Sequence, residues 1–497
     1  MKQDGNSLRD RVFSGFAWKF AERFCAQGIS FVVSVILARI LAPELYGTVA
    51  IIMIFIGIAN VFTTGGFSLA LIQKKDADEA DFSTVFYCTL VVSFLLYGAL
   101  WLLSPVLADF YAIPEIEQLM RVFSLSILIN SYNSIQHAYV SRHMIFKKFF
   151  FSTLFGTLVS GVVGIVMALS GAGVWALVAQ YLTNAVIDTL VLSFTVKWRP
   201  RLLFSGASFR RLMSFGWKCL AANLIGTIYN NLRSLLIGKF YTSADLAYYN
   251  KGKSFPDMIT GNLSATVFSV LFPAIANASD NLAEVRRMSR KVMRTASYII
   301  FPILLGLAAV ADTLVALLLT EKWLDCVPFL QLACLYSIFH ILTDVSLQSI
   351  NAIGRSDVVL RIEFIKKPVT LAIILIALQF DVLAVGISLP AASAFSMLVN
   401  MICNGRLLSY RFRDQLMDIL PSFALSAVMA VCVYLMRMLP LPLLAVLILQ
   451  VAAGCAMYVA LSILTKNDSF HYLKNYLTDM LRRRGKRSAD NGVERGV

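Results

Sequence analysis

Lys19, Arg23, Gln27, Ser30 and Ser34 step along the chain by four, four, three and four residues, which keeps them on one face of a helix, within about 80° of one another. Asn223, Thr227, Asn230 and Ser234 repeat the pattern, with Asn231 and Arg233 beside them. Asn60, Thr64 and Ser68 form a third polar stripe, Asn130, Asn133, Ser134 and His137 a fourth, and Asn262, Thr266 and Ser269 a fifth. A guanidinium fork donates two hydrogen bonds to one oxyanion, and carboxamides match sugar hydroxyls. Cations together with amides suit a phosphorylated, glycosylated ligand. We expect Lys19, Arg23, Gln27, Asn60, Asn130, Asn223, Asn230 and Arg233 to contact substrate.

Each of these residues also has a structural reading. Asn, Ser and Thr join membrane helices through hydrogen bonds worth about 0.6 kcal/mol each, and Lys19 can pair with Glu22 three residues on or reach the interface. Arg23 lies a turn deeper, where a charge facing lipid costs about 3 kcal/mol, so a cavity or an ion pair must receive it. The acids Asp188, Asp312, Asp344 and Glu363 either bind a coupling proton or sodium ion or balance bases such as Lys366 and Lys367. Asp188 and Asp344 are carried forward as the candidate coupling-ion ligands. For His137 and His340 a hydrogen-bonded structural role is the expectation.

No G-x-x-x-x-G-K-[ST] occurs, so nothing in the sequence would cradle ATP phosphates. Energy should come from an ion gradient, H+ or Na+, or from the substrate, with no cofactor. Asp76-Ala77-Asp78 has a D-x-D spacing but sits in a short loop without a nucleotide-binding domain, and the eight cysteines show no metal-ligand spacing. No metal site is expected.

The elements that position these residues follow from composition. Hydrophobic residues make up 58% of 497 and charged residues only 15%, with mean hydropathy +0.73, which leaves far too little polar surface for a soluble fold. Continuous apolar runs such as Gly47 to Ile72 exclude a barrel of alternating strands. About fourteen runs of bilayer length predict spans at 12–38, 47–72, 83–108, 119–139, 149–169, 173–195, 216–238, 255–276, 294–319, 327–353, 358–379, 383–404, 419–438 and 441–464. The polar stretch Met1 to Arg11 carries no cleavable signal, so the first span should be kept.

Most of the 44 Lys and Arg fall on one side of this topology, among them Lys74, Lys147, Lys148, the run Arg286 to Arg294, and Arg482 to Arg487 in the tail. The excess of basic residues predicts that both termini are cytoplasmic. It also accounts for the net charge of +15 through contact with membrane lipids, with no nucleic-acid partner.

Ser14-Gly15-Phe16-Ala17-Trp18-Lys19 opening the first span returns as Met213-Ser214-Phe215-Gly216-Trp217-Lys218 opening the seventh, and Ser134-Ile135-Gln136 in the fourth as Ser346-Leu347-Gln348 in the tenth. Copies an even number of spans apart enter the membrane in the same direction, so they relate by a pseudo-twofold axis along the membrane normal. The expected fold is an all-α polytopic membrane protein of about fourteen transmembrane helices, in two six-helix lobes plus two C-terminal helices. Its parts are an N-terminal segment 1–11, a lobe 12–196, a linker 197–215, a second lobe 216–404, extra helices in 419–464 and a basic tail 465–497. Two lobes around one cavity form an alternating-access architecture.

Arg39-Ile40-Leu41-Ala42-Pro43-Glu44-Leu45-Tyr46-Gly47 resembles the R-x-L-x-P-x-x-[YF]-G pattern that follows the first helix in the polysaccharide exporter family. Its superfamily also holds multidrug extruders and peptidoglycan-precursor flippases. The stretch Gln136 to Lys147, Leu246-Ala247-Tyr248-Tyr249-Asn250-Lys251 and Phe272-Pro273 extend the likeness over about residues 8 to 460, nearest to colanic-acid-type exporters. Ala247 departs from a glycine common in relatives. The resemblance implies flipping of an undecaprenyl-diphosphate-linked oligosaccharide, of exopolysaccharide, capsule or O-antigen type, across a bacterial inner membrane. It also implies work beside a glycan polymerase and glycosyltransferases of the same pathway, and no enzymatic activity. Arg23 and Arg233 map approximately onto the cationic cavity it suggests. The rival readings are a cation-coupled multidrug extruder, which would need an acid-rich cavity, and a membrane glycan ligase or polymerase, which would need a large outer loop.

Overall fold

The computed structural model describes residues 3–64, 66, 71, 74, 77–276, 278, 281–472, 474 and 475. Ser68, Asp76 and the basic run Arg482 to Arg487 lie outside the described residues, and Asn262, Thr266 and Ser269 lie outside the described side chains. The chain forms helices α1 (Gln3–Ile40), α2 (Pro43–Thr64), α3 (Glu79–Tyr111), α4 (Glu115–Phe123), α5 (Leu125–Arg142), α6 (Lys147–Leu169), α7 (Val174–Thr195) and α8 (Gly206–Phe240). These are followed by α9 (Ser243–Ala276), α10 (Leu282–Ala309), α11 (Ala311–Leu319), α12 (Val327–Ala352), α13 (Ser356–Ala377), α14 (Val382–Leu408), α15 (Phe412–Leu435) and α16 (Leu443–Leu464). No strand occurs among the described residues.

Among the described residues, ten helical segments are long and apolar enough to cross a membrane. Among the described residues the expected apolar segments are helical, with 294–319 divided at Val310 between α10 and α11, and those in α5, α8 and α13 are not among the ten. The polar side chains that drew attention to them also lower their hydropathy: Asn130 and Asn133 in α5, Asn223 and Arg233 in α8, Lys366 and Lys367 in α13. Outward faces of the apolar helices carry large hydrophobes such as Leu95 and Leu102, both 69% exposed. Lipid is the solvent that makes such a surface stable. The protein is a multi-pass membrane protein.

Local chemistry sets the helix ends. Asp78 caps α3 by accepting from Asp81 N at 2.8 Å, while the Asp81 carboxylate takes the Asp78 N–H at 3.0 Å, a reciprocal capping box. Asp78 therefore serves as a helix cap. Asn281 caps α10 through the Ala283 and Glu284 amides, and Asp381 caps α14 through the Ala384 amide at 2.6 Å. The segment read as a single span over 119–139 is instead divided at Ser124 into α4 and α5. The Ser124 hydroxyl there bonds back to Arg121 O at 3.2 Å, the local side-chain competition that weakens a helix interior.

Contact density divides the chain into two compact units, Met1–Ala247 and Tyr248–Val497. In the first, α7 packs on α6 and α1 on its other side. Small residues make the approach possible: a Cβ on Gly164 would lie 3.0 Å from Gln180 Cβ, and one on Gly161 only 2.6 Å from Val33 Cγ2. Without a hydrophobic drive between helices in lipid, this close van der Waals fit is what holds them.

In the second unit α12 packs on α14, and α10 on α15. An ion cluster closes the latter pair: Asp418, 1% exposed, receives Arg290 Nε at 2.6 Å and Arg294 Nε at 2.7 Å, and the Tyr410 hydroxyl at 2.6 Å. Asp418→Ala would leave three donors without their acceptor. Removing one partner of a fully buried pair costs about 3–5 kcal/mol. The arginines here are 43% and 35% exposed, so water recovers part of this and we expect a loss of about 2 kcal/mol. Thermal unfolding of the detergent-purified variant measures it, and an unchanged midpoint would show that the cluster contributes no stability.

Candidate functional site

The polar stripes of α2 and α5 meet Asp188 of α7. Asn60 and Thr64 from α2, Asn130, Asn133, Ser134, His137 and Ser141 from α5, and Asp188 together line a cleft of about 490 Å³. The five α5 residues are spaced by three, one, three and four, which puts them on one helical face. The face is buried because α5 packs against both α2 and α7.

Hydrogen bonds tie the lining together. Asn130 Nδ2 donates to Asn60 Oδ1 at 3.4 Å, and Asn133 Nδ2 donates to Asp188 Oδ2. His137 Nε2 lies 3.3 Å from that same oxygen. Asp188 is 15% exposed and His137 45%, so the carboxylate is sheltered and the imidazole opens toward solvent. Asn133 Oδ1 is buried with no donor among the described residues. A buried acceptor without a partner costs about 1–3 kcal/mol and is a natural place for a ligand hydroxyl or a cation. The cleft thus combines amides suited to hydroxyls with a carboxylate and imidazole able to exchange a proton.

Three of the residues expected from the sequence, Asn60, Asn130 and Asp188, converge here. The others do not line this cleft. Lys19 is paired with Glu22 at 2.9 Å and stands 4.7 Å above the Phe149 ring, so the local ion pair read as an alternative is formed. Glu22 also accepts from Thr153 on α6 at 3.3 Å. Arg23 is exposed, and Gln27 is partly buried on the same helix. Asn223 and Asn230 are exposed on α8, and Arg233 is partly buried.

The intramembrane acids separate by partner. Asp312 accepts from Arg437 Nη1 at 2.8 Å and Glu363 from Lys366 at 2.6 Å, so each meets a basic side chain. Asp188 and Asp344 face histidines instead, the latter 3.2 Å from His340 Nδ1 in the second unit. Asn133 and His137 were visible as members of the α5 stripe but not as neighbours of Asp188. The signal available was the shared helical face. What the sequence lacked was the packing of α7 upon it.

Residues 36–328 match the model of a family described as polysaccharide biosynthesis protein. The lipopolysaccharide biosynthesis protein WzxC of Escherichia coli (strain K12) is 26% identical over 341 residues, covering 67% of this chain and 68% of that protein. The teichuronic acid biosynthesis protein TuaB of Bacillus subtilis (strain 168) is 26% identical over 71% of this chain and 73% of its own length. The succinoglycan biosynthesis transport protein ExoT of Rhizobium meliloti (strain 1021) is 24% identical over 65% of this chain and 66% of its own length. Among solved structures, the lipid II flippase MurJ in an inward closed conformation superposes with a TM-score of 0.73 at 16% identity, over 91% of this chain and 99% of that one. An inward-facing multidrug resistance MATE family transporter superposes at 0.63 with 15% identity, over 77% of this chain and 94% of that one. Both likenesses are of fold.

Proposed function

The chain belongs to the polysaccharide biosynthesis protein family, and from that premise we propose that it flips a polyprenyl-diphosphate-linked oligosaccharide from the cytoplasmic to the outer leaflet by alternating access. It is a carrier and not an enzyme, and it sits in a bacterial cytoplasmic membrane with both termini inside. The observation that carries the reading is the cleft in which Asn60, Asn130, Asn133, His137 and Asp188 gather within an otherwise apolar bundle. Two of the curated relatives are named for the biosynthesis of a lipopolysaccharide and a teichuronic acid, and a third for succinoglycan transport. An amide-lined cleft is suited to the glycan of such a substrate.

In this reading the polyprenyl tail stays in lipid while the headgroup passes through the protein. Asn60 and Asn130 hold sugar hydroxyls, joined by Gln27, Asn223 and Asn230. Lys19, Arg23 and Arg233 offset the desolvation of the diphosphate. Two negative charges moving outward across an inside-negative potential of about 100 mV run downhill by about 4.6 kcal/mol, at roughly 2.3 per charge. Asp188 with His137, and Asp344 with His340, are the groups at which a coupling proton would be held. The glycan polymerase and the glycosyltransferases of the pathway are the expected partners on either side of the step.

Deleting the gene should cause complete lipid-linked repeat units to build up on the cytoplasmic leaflet, and unaltered surface glycan in the deletion strain would overturn the proposal. Complementation with Asn60→Ala/Asn130→Ala separates substrate contact from helix packing. Losing one weak interhelical hydrogen bond costs only about 0.6 kcal/mol, so protein level should hold. Loss of two sugar contacts should lower export by roughly tenfold or more, the equivalent of about 1.4 kcal/mol. Export at the parental rate would remove these amides from the substrate path.

A further inference from the structure

A basic groove in the second unit lies apart from the α2–α5–α7 cleft. Arg286, Arg287, Arg290, Lys291 and Arg294 crowd the first turns of α10, a helix that becomes apolar beyond them. One pocket of about 360 Å³ is lined by Arg287, Arg290, Lys291, Arg294 and Tyr472. A second, of about 370 Å³, shares Arg294, Asp468 and Ser469 with it and continues over Met417, Pro421 and Leu425 of α15. One depression therefore runs from guanidinium and ammonium groups to an apolar wall.

Its positive charge is only partly compensated. Asp418 is a single carboxylate serving both Arg290 and Arg294. Asp468 approaches Arg294 Nη1 at 3.6 Å but is 88% exposed, and Glu284 meets Arg287 at 2.7 Å near the rim. Lys291 stands 4.0 Å above the Tyr472 ring and has no carboxylate partner among the described residues. The groove also sits where the starts of α10 and α15 meet the end of α16, and these three are among the helices long and apolar enough to cross a membrane. Basic residues at such ends lie at headgroup depth.

We propose that this groove binds an anionic glycerophospholipid. The phosphodiester sits among Arg287, Lys291 and Arg294, and an acyl chain lies along Met417, Pro421 and Leu425. The apolar wall is what selects a lipid over a free phosphate, since inorganic ions gain nothing from it. The Asp418 clamp holds two of the guanidiniums in place before the ligand arrives, which lowers the entropy cost of binding.

The test uses the full chain purified in neutral detergent, with its thermal midpoint followed against added dioctanoyl phosphatidylglycerol. Dioctanoyl phosphatidylcholine, sodium pyrophosphate and farnesyl diphosphate run in parallel. Phosphatidylglycerol should raise the midpoint and the other three should not do so at equal concentration. In R287Q/K291Q, which leaves the Asp418 clamp intact, half-saturation should move up by roughly tenfold or more, while the midpoint without lipid stays put. Should the double variant lose its own transition, K291Q alone carries the same expectation at roughly fivefold. An equal shift with phosphatidylcholine, with pyrophosphate or with farnesyl diphosphate overturns the proposal, as does an unchanged half-saturation in a folded variant.

Discussion

Asp188→Asn should leave the protein in the membrane at its normal level and cut polysaccharide export by roughly tenfold or more. The substitution changes charge without changing shape. Asn retains an oxygen that can accept from Asn133 Nδ2, as Asp188 Oδ2 does now, so the α5–α7 contact survives. What disappears is the carboxylate 3.3 Å from His137 Nε2. An imidazole can keep its place in neutral form, so no unpaired buried charge is left behind and the folding cost stays small. If a coupling proton is held at this carboxylate, as proposed, the cycle cannot run without it. Parental export in Asp188→Asn would end the coupling role and leave Asp188 as a helix-packing residue.

Much of this arrangement could be read from the chain, and the boundary has a physical cause. Helical periodicity is local, so the stripes Asn60–Thr64 and Asn130–Asn133–Ser134–His137 were visible as faces. The ion pair Lys19–Glu22 was visible for the same reason, since residues three apart on a helix are neighbours whatever the fold does. Asn133 and Asp188 are separated by 55 residues and Arg290 and Asp418 by 128. No spacing rule reaches that far. Such contacts depend on which helices pack together, and packing depends on where small residues let backbones approach, as Gly161 and Gly164 do on α6. The acids show the same divide. The sequence could not rank Asp188, Asp312, Asp344 and Glu363, because the distinction lies in whether the partner is an arginine or lysine or a histidine. For Asp312 and Asp188 that partner comes from another helix.

The paired histidines also bear on the rival of a multidrug carrier built on the same fold. Such a carrier would need an acid-rich cavity and an apolar pocket for its ligand. The described α2–α5–α7 cleft has one carboxylate among three carboxamides, two serines and a threonine. Its lining offers several hydrogen-bonding side chains and a single acid. A ligand that benefits from such a wall must bring hydroxyls of its own, as a glycan does.

Gly47→Ala is the substitution for which the fold leaves least room. Gly47 closes the motif that begins at Arg39, and it is buried in the first turns of α2 against the start of α9. A Cβ built there would lie 1.8 Å from Ser243 O and 2.5 Å from Ser243 C. Both are backbone atoms, so no side-chain rotation relieves the overlap and the two helix starts must separate. Overpacking a tight contact costs about 1–3 kcal/mol when flexible groups can yield, and with backbone on the far side we expect about 3 kcal/mol or more. The same change at Gly57 in the same helix supplies the control, because nothing lies within 4 Å of a Cβ there. Helix propensity alone then predicts a gain of about 0.5–1 kcal/mol for Gly57→Ala. Folded yield and thermal midpoint in detergent should thus move in opposite directions for one methyl group added at two points on one helix. If Gly47→Ala behaved like Gly57→Ala, the close contact between the starts of α2 and α9 would be wrong, and the motif would need a reason other than packing.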